Sequence, residues 1–138
     1  MFIASKLAIW SSAKQFRSQK WWERQGDVYN RLLENLAIIK HCVAAKLAYE
    51  RRPDYMLGPS KLLVEQLAGA GAEVEKIAAM GPYYLSDAAS KAVDKFVAGW
   101  GIDTGCGPED EYERHLKTVC ESMMIIREEA NKALGLSA

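Results

Sequence analysis

Apolar residues recur at a helical period along residues 21–47, WWERQGDVYNRLLENLAIIKHCVAAKL. Trp22, Tyr29, Leu36 and Val43 stand seven apart, Leu33 and Leu47 follow four after Tyr29 and Val43, and Leu32 and Ile39 fill the adjoining row. Spacings of three, four and seven put these side chains on one flank of an α-helix. The pattern predicts a central helix over residues 21–52, about 45 Å long at 1.5 Å per residue, against which the later helices fold. Gly26 interrupts its interior at a cost of about 1 kcal/mol relative to alanine and would let another helix approach beside the tryptophans. Pro53 and Asp54 end it, because the residue before a proline resists the helical region.

The same reading predicts three further helices. Residues 61–80 carry an inward stripe of Leu63, Leu67, Ala70, Val74, Ile77 and Ala78, opened by Gly58 or Ser60 as cap with Pro59 near the first turn. Gly69, Ala70, Gly71 and Ala72 make its middle slim, with room for a bulky neighbour such as a tryptophan of the first helix. Gly81 and Pro82 read as its stop. Ser86 is a good N-cap for residues 87–100, where Ala89, Val93, Phe96, Val97 and Trp100 are the apolar positions. Residues 108–134 follow the loop GIDTGCG, with Glu109, Asp110 and Glu111 in the first turn, where the helix dipole favours negative charge. Tyr112, Leu116, Val119, Cys120, Met123, Ile126 and Ala130 line one side, and Gly135 closes the helix. Short connections between four such helices predict a single all-α domain, an antiparallel up-down-up-down four-helix bundle with a long first helix. No alternating strand pattern and no repeat of 20–50 residues stands against this.

The first twenty residues, MFIASKLAIWSSAKQFRSQK, change the picture. Ile3, Leu7 and Trp10 follow helical spacing, Lys6, Lys14, Arg17 and Lys20 are basic, and no acid precedes Glu23. This basic amphipathic segment is expected to continue the first helix and to overhang its shorter partners. An overhang carrying Leu7, Trp10 and Phe16, with Trp21 and Trp22 at its base, is a natural dimer surface. The same composition suits a helix lying on an anionic membrane. A secretory signal fits poorly, since Ser5 and Lys6 break the apolar stretch and most of the charge follows it.

Composition sets the limits. The chain has 138 residues, 49% of them hydrophobic, enough to build a core without staples. Formal net charge is zero, yet residues 1–52 hold ten Lys/Arg against four Asp/Glu, a balance of +6, and residues 53–138 hold eight against fourteen, a balance of −6. Cys42, Cys106 and Cys120 show no close spacing, which, with no secretory signal, predicts a cytoplasmic chain with reduced thiols.

Candidate chemistry is mostly excluded. A di-iron bundle needs Glu-x-x-His pairs, but Ile38 and Tyr112 stand three before the two histidines, His41 and His115. Cys106, His115 and Cys120 lack the four close ligands of a structural zinc site. His41 and Cys42 diverge by about 100° on a helix, which weakens a Cys–His nucleophile. GIDTGCG lacks the P-loop lysine, and the acids after it repel phosphate. Lys14, Arg17, Lys20, Arg24 and Arg31 beside the tryptophans would grip a nucleic-acid backbone, but the neutral chain and absent recognition motif argue against it. Tyr83, Tyr84 and Trp100, with the slim face of the second helix, are the candidate lining of a small-ligand pocket, against ordinary core packing.

One resemblance is carried by Trp21, Trp22, Glu23, Arg24 and Tyr29, then by Tyr84, Leu85, Ser86, Asp87 and Ala88. With these the chain resembles a loose group of uncharacterised bacterial helical proteins that show a WWE(K/R) start, a following tyrosine, and a later helix opened by aromatic, aliphatic, serine and acidic residues. It also resembles small bundles carried on mobile elements such as integron cassettes. The resemblance implies a helical fold and no activity. The expectation is a protein of unknown function that is not an enzyme, binds no metal or cofactor, and acts through protein contact as a homodimer. Membrane association through the first twenty residues, or ligand binding between helices, are the alternatives.

Overall fold

The computed structural model describes residues 2–52, 61–100, 105 and 107–135, with the backbone alone for 2–18. Four helices follow in order: α1 (Phe2–Arg51), α2 (Lys61–Tyr84), α3 (Asp87–Trp100) and α4 (Pro108–Leu134). α1 packs on α2 and α4, and α3 packs on the same two, so the helices form a ring with α1 and α3 on one diagonal. Side-chain contacts give the directions. The end of α1 meets the start of α4 where Arg51 pairs with Glu109 and Glu113, and its middle meets the end of α4 where Leu134 lies against Gly26. Cys42 donates to the Leu63 carbonyl, Arg31 pairs with Glu73, and Gln25 donates to the Tyr84 carbonyl, so α2 runs back along α1. The predicted antiparallel four-helix bundle is the observed one.

The core follows the predicted stripes. Tyr29, Leu32, Leu36, Ile39 and Val43 of α1 are fully enclosed, with Val74 and Ile77 of α2, Ala89, Val93 and Phe96 of α3, and Val119 and Ile126 of α4. Burial of a leucine- or isoleucine-sized side chain stabilises by about 1.5–3 kcal/mol, so this stripe holds the bundle together. Trp22 is a correction: expected in the stripe, it is 49% exposed. α4 ends beside Gly26 and α2 ends beside Trp21, so among the described residues the bundle is running out at the level of Trp22.

The helix ends show local chemistry at work. The Ser86 hydroxyl accepts from the Ala89 amide at 3.2 Å, the predicted N-cap of α3. The Ser86 amide itself donates to the hydroxyl of the enclosed Tyr29 at 3.0 Å, so a core residue of α1 anchors the α2–α3 corner. Gly135 closes α4 in the left-handed region at φ 68°, its amide bonded to the Asn131 carbonyl.

The end of α2 differs from expectation. Gly81 and Pro82 do not stop it at Met80; the helix runs on to Tyr84. Pro82 has no amide to give Ala78. The extra turn recovers a bond from the Leu85 amide to the Gly81 carbonyl at 2.8 Å and buries Leu85. Gly81 serves packing: a Cβ there would meet the Ser90 hydroxyl at 2.8 Å. The slim middle of α2 is filled differently from expectation: nothing lies within 4 Å of a Cβ at Gly69 or Gly71, and the tryptophan beside it is Trp100 of α3.

Candidate functional site

α1 outruns the rest of the molecule. α2 ends at Tyr84, whose ring stacks on Trp21 with centroids 5.1 Å apart, and α4 ends beside Gly26. From Trp21 the same helix continues back to Phe2, about 28 Å further at 1.5 Å per residue. It leaves the bundle over a clasp: Trp21 stacked on Tyr84, and Gln25 donating to the Tyr84 carbonyl at 3.1 Å. Trp21 and Trp22 remain 47% and 49% exposed there, despite the large apolar area each offers. Leu7, Trp10 and Phe16 belong to the segment whose side chains lie outside the described set.

The three aromatics expected to line a pocket do not meet. Tyr83 is 72% exposed, and Tyr84 is taken up by Trp21. Trp100 stands at the other end of α3, some 14 residues and about 20 Å away. What Trp100 does line is an open groove of about 370 Å³ with Val64, Leu67, Ala68, Gly71, Ala72 and Glu75. A second shallow groove of about 490 Å³ lies between α1 and α2 at Ala37, Ile38, His41 and Gln66. Neither gathers the convergent polar groups of a ligand site.

The densest polar cluster lies at the start of α4 and was missed from the sequence. His115 stacks on Trp100 with ring centroids 4.8 Å apart. Its Nε2 lies 3.6 Å from a Glu111 carboxylate oxygen and 3.2 Å from Arg114, which pairs with Glu111 and reaches the Gly99 carbonyl at 3.4 Å. Burial, the Arg114 charge and Lys46 push the His115 pKa down, and Glu111 opposes them. These contacts tie α4 to the end of α3. The acidic first turn that dipole reasoning pointed to was the available signal: Arg114 and His115 stand three and four after Glu111, but their α3 partners, Gly99 and Trp100, each stand 15 residues before them, and no local pattern names those.

Of the thiols, Cys42 is buried and its pKa is raised by burial, with Lys46 opposing; Cys120 is half-buried. Both fit the small-hydrophobe role. Cys106 lies outside the described residues. Among the described residues no three His, Cys, Asp or Glu side chains group to hold a metal ion, and no helix is long and apolar enough to cross a membrane.

No protein-family model matches the chain, and no curated protein or solved structure matches it either.

Proposed function

We propose that this protein is a non-enzymatic bundle that works through protein contact, and that its own second copy is the first partner. One observation carries the reading: α1 continues as helix for about 28 Å past Trp21, and two tryptophans at that point are half-exposed. A basic amphipathic helix held out from a folded body has apolar area to bury and a charge to match. The resemblance to uncharacterised bacterial helical proteins is compatible with this reading and supplies no activity that competes with it. The test is mass by light scattering for the full chain and for a chain lacking residues 1–18, with far-UV circular dichroism to check that the bundle stays folded. The full chain is expected to run as a dimer and the shortened chain as a monomer. Monomers in both cases defeat the proposal.

The run of Lys6, Lys14, Arg17 and Lys20 with no acid before Glu23 supports one second reading, an arm that lies on anionic lipid. Flotation of the full chain with anionic vesicles at low salt decides it, and failure to float removes it.

A further inference from the structure

The outer ridge of α2 carries charge that the chain itself does not match. Ala70, Val74 and Ile77 turn the helix inward, which leaves Leu62, Glu65, Gly69, Ala72, Lys76 and Ala79 exposed on its far side. Steps of three and four place these six in one row. Neither Glu65 nor Lys76 has an ion-pair partner among the described residues. Gly69 is equally without employment inside the molecule. A glycine in a helix interior costs stability relative to alanine, yet its φ is not positive and a Cβ there would meet nothing within 4 Å.

The row reads the same from both ends. Leu62 and Ala79, Glu65 and Lys76, and Gly69 and Ala72 stand symmetrically about the point between Ala70 and Gly71. An antiparallel two-fold contact about that point therefore sets each residue against its counterpart in the other copy. Acid meets base twice, leucine meets alanine twice, and glycine meets alanine at the centre. We propose that the outer ridge of α2 pairs antiparallel with the same ridge of a second copy, with Glu65 of each copy beside Lys76 of the other. Gly69 and Ala72 let the two helix axes approach to about 8 Å.

The other charges of α2 are compatible with this seam. Lys61 falls opposite Met80, Glu75 opposite Gln66, and Glu73, already paired with Arg31, opposite Ala68. Within α2 no like charges come face to face, and the contact closes at two copies. A parallel pairing would instead set Glu65 against Glu65 and Lys76 against Lys76. From Leu62 to Ala79 the row spans about 26 Å, and at ~10 Å width it presents ~260 Å² per copy. The ~500 Å² of the pair is well under the ~1,200 Å² of a stable interface, so the contact is a weak one that forms in concentrated solution. It extends the self-association reading to a second surface, on a different helix from the α1 stretch.

Sedimentation equilibrium of the full-length protein, from micromolar to millimolar concentration, tests the seam. The average mass is expected to double toward the concentrated end. Glu65→Lys and Lys76→Glu each bring like charges together twice, and each is expected to weaken that step about tenfold. An equal mixture of these two variants re-forms both ion pairs and is expected to return to within a few-fold of the parent, as is the chain carrying both substitutions. Gly69→Gln, at a site open inside the chain, is expected to abolish the step with thermal stability kept or raised. A parent mass that does not rise with concentration overturns the pairing. So does a step indifferent to Gly69→Gln, or a mixture that shows no recovery. None of these outcomes touches the α1 reading, which is decided by the mass in dilute solution with and without residues 1–18.

Discussion

Removing a single oxygen atom from the core tests how the α2–α3 corner is held. Tyr29→Phe keeps the enclosed ring of α1 and deletes the hydroxyl that accepts the Ser86 amide at 3.0 Å. The volume and apolar burial are nearly conserved, so the packing contribution is almost unchanged. What changes is one hydrogen bond. Its net worth is about 0.5–1.5 kcal/mol, rising toward about 3 kcal/mol if the abandoned amide finds no water. Ser86 is only half-buried, so water can reach the amide and the lower range applies, about 1 kcal/mol. Ser86→Ala removes the neighbouring cap on Ala89 and is expected to cost about 0.5–2 kcal/mol. Because both bonds fix the same residue, the double variant should lose less than the two single losses combined. Urea unfolding followed by circular dichroism reads all three, with Tyr83→Phe, at a 72% exposed site, as the silent control. If Tyr29→Phe unfolds at the same midpoint as the parent, the corner is not held by this bond and the reasoning fails.

Two further outcomes follow from the same contacts. Gly69→Ala and Gly71→Ala meet nothing within 4 Å and should each stabilise the protein by about 0.5–1 kcal/mol, whereas Gly81→Ala drives a methyl against Ser90 and should cost about 1–3 kcal/mol; thermal unfolding separates the signs. The His115 pKa is lowered in the folded state, so the unfolded chain binds the extra proton more readily: the contribution is whole above the ordinary value of 6.5 and is lost as pH falls from there toward the folded pKa. Stability measured from pH 7.5 to 5.5 should therefore fall less steeply in His115→Gln than in the parent, and parallel curves would refute it.

Most of the core was legible because periodicity is a local property. Tyr29, Leu36 and Val43 share a flank by spacing alone, and the flank is where the core lies. Trp22 has the same spacing and a different fate, because burial also depends on where neighbouring helices end, which no residue in α1 encodes. The Gly81–Pro82 pair misled for a related reason. Its glycine serves a close approach to Ser90, and its proline sits in the last turn, after which Leu85 is buried and its amide bonds the Gly81 carbonyl. Sequence reasoning grouped Tyr83, Tyr84 and Trp100 as pocket lining because they are aromatic, but α3 holds two of them apart from the third. The overhang was expected from unequal helix lengths. Met124 and Ile125 face outward as the α4 stripe implies, since Met123 and Ile126 take the inward positions on either side of them.

The unbroken passage of α1 out of the bundle has a thermodynamic consequence. A detached peptide of this length would first have to form a turn unaided, the improbable step in any coil-to-helix transition. Here the enclosed portion of α1 presents a finished turn at Trp21, and each residue toward Phe2 only adds a hydrogen bond to a growing end. The body thus acts as a permanent seed for the helix from Trp21 back to Phe2, so the order of that stretch is tied to the stability of the bundle.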